Sequence, residues 1–147
     1  MRYSAARQGR VFVVRLEDGE ILHEEIEALA RKESIGAAMV VLVGGADAGS
    51  RLVVGPEEGR SARITPVEHV LDNVHEMAGV GTIFPDEQGR PVLHMHAAVG
   101  RGTAAHAGCV RNGVKVWHVM EAIVTELVDT TAARVLDPVT GFELLRP

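Results

Sequence analysis

The chain has 147 residues, 46% of them hydrophobic and 24% charged, enough for one globular domain with a sizeable core. A net charge of −5 and only 3% aromatic residues argue against a general nucleic-acid binder, which needs a basic face and stacking side chains. No apolar run approaches the ~18–20 residues of a membrane span, and no apolar signal region follows Arg2 and Arg7. The single cysteine excludes an internal disulfide, so the expected setting is a reducing cytoplasm.

In chain order, residues 1–8 read as a loose arm and 9–147 as a single domain. Arg10–Leu16 reads as a strand apolar on both faces, and Asp18-Gly19 as a turn. Glu20–Glu33 has a helical apolar stripe of Ile21, Leu22, Ile26, Leu29 and Ala30. Its other side, Glu24, Glu25, Glu27 and Arg31, reads as solvated. Ala37–Val43 is wholly apolar and is expected to be a strand buried on both sides. Gly44-Gly45 lacks the spacing of a phosphate loop and reads as a tight turn.

Arg51–Val54 and Ile64–Val67 follow as short strands, and Val70–Ala78 fits either a strand or a helical period. Val80–Phe84 and the segment from Pro91 form a hairpin around Pro85–Gly89. Gly89-Arg90-Pro91 has the core of a minor-groove hook, but Asp86 and Glu87 stand where a hook needs flanking cations. Val114–Leu127 is the last long strand signal, and Asp137–Gly141 turns a closing hairpin between Ala133–Leu136 and Phe142–Leu145. One helix and about eight strands give an α+β fold with a large, mostly antiparallel sheet.

The chemistry concentrates in the run Val92–Val99. Alternate side chains of a strand share a face, so His94 and His96 point the same way, about 6.6–6.8 Å apart along the strand. His106, Cys109 and His118 come next across a Gly-rich turn, with no acid from Ala97 to Met120. Two imidazoles on one strand face, followed by further soft donors across a turn, make the pattern of a β-built metal site; a pair of half-exposed histidines is the plainer alternative. His118 shares its face with Met120 and reads as a core or interface residue. His23, His69 and His75 have no partner pattern and read as surface or structural residues. Glu121 sits among Trp117, Val119 and Ile123, so it must be paired or near an edge. It is a candidate catalytic acid, with an interface salt bridge as the alternative. A cupin would want an acid soon after His-x-His, and a hydrolase would want an orienting group near Cys109; neither is present.

Glu76-Met77-Ala78-Gly79-Val80-Gly81-Thr82-Ile83 followed by Gly89-Arg90-Pro91-Val92-Leu93-His94-Met95-His96 resembles the PPC (plants and prokaryotes conserved) domain family, over about residues 9–128. The chain looks like a lone-domain prokaryotic member. The resemblance implies a sandwich-like α+β domain assembled as a homotrimer, and a DNA-binding label carried over from plant relatives with upstream hooks. Relatives often place a Gly-Gly-His-Leu motif after the His-x-His strand, whose His joins the first two at a metal. One register puts His106 there; the other puts Cys109 there and keeps Gly113 and Glu121 in step without a gap. The second makes Cys109 the third ligand and His106 a fourth ligand or a neighbour. A thiolate biases the site toward zinc, iron or copper and away from magnesium or calcium.

Three functions follow as expectations: a trimeric metal-binding module with a regulatory or ligand-sensing role, a metal-dependent enzyme with an open coordination position, and a DNA-binding protein. The acidic charge disfavours the last, although Arg101, Arg111 and Lys115 offer a local basic rim. One helix cannot cover so large a sheet, so the remaining apolar faces should meet further copies of the chain.

Overall fold

The stripe of Leu22, Ile26 and Ala30 becomes one helix, α1 (Leu22–Lys32), with all three side chains buried. Glu24 and Glu25 in its first turn and Arg31 and Lys32 in its last complement the helix dipole. The computed structural model describes residues 1–61 and 64–147. Around α1 it has the strands β1 (Arg7–Glu17), β2 (Ala38–Ala46), β3 (Arg51–Pro56), β4 (Pro66–Val70) and β5 (His75–Pro85). Further on come β6 (Pro91–Arg101), β7 (Ala104–Val110), β8 (Val116–Val128), β9 (Ala133–Leu136) and β10 (Glu143–Arg146). The first eight form one sheet in the order β1-β8-β2-β5-β6-β7-β3-β4, and β9 and β10 form a separate hairpin. The neighbouring strands pair antiparallel.

The inner face packs on α1: Leu22 and Ile26 share a core with Val40, Leu42, Met95, Val110, Met120 and Val124. Glu27 belongs to this junction rather than to the solvated face expected of it. It is half-buried, and the Leu93 N–H donates to its Oε1 at 2.9 Å, tying the helix to the start of β6.

The outer face departs from expectation. Ala37–Val43 was expected to be buried on both sides, yet β2 alternates, with Ala38, Val40 and Leu42 buried and Met39, Val41 and Val43 exposed. The registers align a continuous row across this face: Val13 opposite Ile123, Ile123 opposite Val41, Val41 opposite Val80, and Val80 opposite His96. Val13 is 85% exposed, Val80 60%, Ile123 43% and Val41 41%. An apolar row of this length is left open to solvent on this face of the sheet.

Gly44 and Gly45 do not end a strand. They lie inside β2, at a bulge where the pairing with β8 shifts. A Cβ on Gly44 would meet the Val119 carbonyl oxygen at 2.5 Å, and one on Gly45 would meet the Trp117 ring at 2.7 Å, so close approach to β8 explains both glycines. His118 occupies that bulge with φ 56°; it is exposed and its ring meets Trp117 edge-on, rather than entering the core. The ambiguous stretch from Val70 resolves into the end of β4 and the start of β5, with no helix among the described residues there. The strand expected at Ile64–Val67 runs instead from Pro66 to Val70.

At the β1–β8 end of the sheet, Glu126 accepts hydrogen bonds from Arg10 Nε at 2.9 Å, Arg10 Nη2 at 2.8 Å and the Arg10 backbone N–H at 3.1 Å. The Arg10 guanidinium first, then its backbone N–H, holds the Glu126 carboxyl down at about 2, against the pull of burial. Because the folded-state value lies below the unfolded one of ~4.3, this pair stabilises the protein above pH ~4.5 and ceases to do so as pH falls toward 2. Arg10 is half exposed, so solvent screening reduces the effect to about 1–2 kcal/mol. Urea unfolding of Glu126→Gln should show that deficit at pH 7 and convergence with wild type near pH 2.

Candidate metal centre

The centre is built by the pairing of β6 with β7. His96 stands directly opposite Cys109 in the antiparallel register, so their side chains share the outer face, and His94 lies two residues earlier on the same face. The ligand atoms of His94, His96 and Cys109 all lie within 4.8 Å of one another. The two imidazoles meet nearly edge to face, with centroids 5.2 Å apart and planes at 76°. Cys109 is buried, His94 half-buried and His96 exposed, so the group opens outward from a closed floor.

The stretch after β6, expected to be a Gly-rich irregular turn, is mostly strand. Gly102 turns the chain with φ 59°, and β7 begins at Ala104 opposite Arg101. Its Ala-Ala-His-Ala-Gly-Cys sequence lacks the branched and aromatic residues that mark strands. Gly108 is needed there because a Cβ would meet the Val53 carbonyl oxygen of β3 at 2.7 Å.

That strand separates the two candidate third ligands. His106 pairs with Val99, whose side chain is in the core, and stacks on His69 with centroids 3.7 Å apart. It lies on the face opposite Cys109 and does not join His94 and His96. Glu121 is exposed on β8, opposite Arg15 and Val43, with β2 and β5 between it and β6. It is therefore remote from the histidines within one chain. His75 is buried, with Nδ1 2.9 Å from the Asn73 carbonyl oxygen, while the buried Nδ1 of His23 has no partner among the described residues.

The donor set fits a transition metal. Zinc bonds of ~2.0–2.3 Å to nitrogen and sulfur separate tetrahedral ligands by about 3.3–3.7 Å, within reach of small side-chain rotations from the observed spacing. Burial, then the charges of Arg134, His96 and Arg111, hold the His94 imidazole below its usual pKa. That direction favours the neutral ring that a ligand requires. No other His, Cys, Asp or Glu joins the group among the described residues, so it offers three donors.

Two neighbours have no clear signal in the sequence. Thr82 of β5 stands opposite His94, and Arg134 of β9 donates from Nη2 to Thr82 Oγ1 at 3.1 Å. Arg134 thus lies over the outer face beside the centre, with its guanidinium 5.9 Å from the Phe84 ring centroid. The basic rim is more dispersed: Lys115 pairs with Asp47 at 2.6 Å, and Arg101 donates to the Val74 carbonyl at 3.2 Å. Arg90 of the hook-like tripeptide is bound to Asp86 at 2.7 Å.

A model of the Plants and Prokaryotes Conserved (PCC) domain matches residues 3–128, and the chain belongs to that family. Among solved structures it is similar to a metal-containing protein from Archaeoglobus fulgidus, at 22% identity and a TM-score of 0.86, covering 100% of both chains. A plant- and prokaryote-conserved (PPC) protein from Pyrococcus horikoshii matches at 21% identity and a TM-score of 0.82, over 100% of this chain and 98% of that one. A protein from Ralstonia eutropha, provisionally named DNA-binding, matches at 24% identity and a TM-score of 0.75, over 92% and 90% of the two chains. These likenesses establish the fold. No curated protein matches the sequence. Among the described residues no helix is long and apolar enough to cross a membrane.

Proposed function

We propose that the chain is a small homotrimeric metal-binding module, in which His94, His96 and Cys109 hold zinc or a related transition ion that serves a regulatory or ligand-sensing role. The observation that carries this reading is the convergence of two imidazoles and one thiol from two paired strands on one face of the sheet. The name of the Archaeoglobus protein, metal-containing, accords with it. A reducing cytoplasm, where Cys109 stays a thiol, suits the donor set. The exposed apolar row supplies the surface for self-association.

A metal-dependent enzyme is the second reading, favoured by the three-ligand set. Such an ion, when bound, supplies a Lewis acid and a water of lowered pKa. The chain's own residues would hold and orient that ion, but among the described residues no carboxylate joins the group, and Glu121 is three strands away. DNA binding, the provisional name of the Ralstonia protein, ranks third. The net charge of −5 opposes it, and Arg90, Arg101 and Lys115 are already engaged.

The test is metal analysis of protein purified without chelators. About one tightly held zinc, iron or copper ion per chain is expected, falling to background in His96→Ala. Wild-type protein without bound metal that also fails to take up added zinc or cobalt would remove the reading.

A further inference from the structure

Arg134 is 5% exposed, its Nε is buried with no hydrogen-bond partner, and it forms no ion pair among the described residues. A guanidinium offers five N–H donors in a rigid fork, and burying one without an anion is costly. The Thr82 hydroxyl and the face of Phe84 offset only part of that cost. Glu143 exerts a field on Arg134 without bonding to it, and Arg111 adds a second positive charge to the neighbourhood. A divalent ion on two neutral imidazoles and one thiolate remains positive. Together with Arg134 and Arg111 it would make a locally positive site that an anion complements.

We propose that the guanidinium of Arg134 receives the oxyanion of a small carboxylate- or phosphate-bearing ligand held at the His94/His96/Cys109 centre. The geometry rests on one ladder position: Thr82, which anchors Arg134, is the direct cross-strand partner of His94. Side chains paired in this way stand ~4.5–5.5 Å apart at Cβ, so a group reaching the open coordination position also comes within range of the guanidinium. Arginine suits this task because its fork matches the two oxygens of a carboxylate or phosphate. The inference rests on the metal reading above, and deepens it by naming the ligand class.

The test uses the full chain loaded with Co2+, whose visible bands report on coordination, titrated separately with acetate and inorganic phosphate. Wild-type protein should show a saturable spectral change with at least one, and the one giving it identifies the head group. Arg134→Gln should bind cobalt within about three-fold of wild type but respond to the anion at least ~10-fold more weakly, as loss of a charge-assisted fork requires. Should Arg134→Gln fail to fold, Arg134→Lys decides: keeping the charge without the fork, it should weaken the response about three-fold or more. Cobalt-loaded wild type with no saturable response to either anion overturns the proposal. So does an unchanged anion midpoint in Arg134→Gln or, where that variant cannot be tested, in Arg134→Lys. Wild-type protein that shows no cobalt bands at all removes the metal reading itself, and this inference with it.

Discussion

Cys109→Ser should lower the affinity for Zn2+ or Co2+ by at least ~100-fold, more than the about 10–100-fold that loss of an outer-shell partner costs, whereas His106→Ala should change it by less than about three-fold. Cys109 stands opposite His96 on the outer face, and its thiol shares the small volume of the two imidazoles. A serine hydroxyl is a far harder and weaker donor to zinc than a thiolate. In the cobalt form, the near-ultraviolet absorption that a thiolate ligand gives should be present in wild type and in His106→Ala, and absent from Cys109→Ser. The metal-free fold should hardly notice: the change swaps sulfur for oxygen at one buried position, a cost of about 1 kcal/mol. The opposite pattern, with His106→Ala losing the ion and Cys109→Ser keeping it, would restore the other register.

The choice between those two residues shows what could be read in advance. Cys109 and His106 are three apart, and in a strand an odd separation puts two side chains on opposite faces. That rule excludes their cooperation at one ion, but only once 104–110 is recognised as a strand. The small residues of that segment hid it: β7 earns its place through the backbone of β6 and the close approach of β3 to Gly108, neither of which is local. The alternation of His94 and His96, by contrast, is local and was legible outright. So was the α1 stripe.

Non-local features account for most of the remainder. The apolar run of β2 has no polar residue to mark an outer face, so burial on both sides was the natural reading. The exposed row exists because β2 sits between β8 and β5 with α1 on one side only. Arg134 reaches the centre because the C-terminal hairpin folds back over β5, bringing a residue 40 positions from His94 onto its cross-strand neighbour. Nothing in the sequence around Arg134 distinguishes it from an ordinary strand cation. The glycines of β2 read as a turn in the sequence because the bulge they accommodate is created by β8 more than 70 residues later.

On the proposed trimer, Val80→Asp and Val41→Asp should each convert the protein to a monomer, and this is the largest effect expected of any surface substitution in the chain. Val41 and Val80 are direct neighbours at the middle of the outer face, flanked by Ile123 on one side and His96 on the other. Burying an aliphatic side chain of this size yields about 1.5–3 kcal/mol, and each copy presents Met39, Val41, Val43, Val80 and Ile123 on this face. A carboxylate at the centre of such a contact loses that burial and must also shed its hydration without a partner, once for every copy assembled. Within the monomer both positions are exposed, so unfolding in urea at low protein concentration should change by less than about 0.5 kcal/mol. Mass measurement by light scattering separates the cases: three chains for wild type and one for each variant. A monomeric wild type would show that the row Val13, Ile123, Val41 and Val80 is left uncovered in solution and would remove self-association from the proposal. Because His96 continues that same row, assembly would also bring the neighbouring copy's surface toward the metal centre. The monomeric Val41→Asp variant, whose substitution lies two strands from β6, should therefore retain its cobalt affinity while exchanging the ion faster than the assembled protein does.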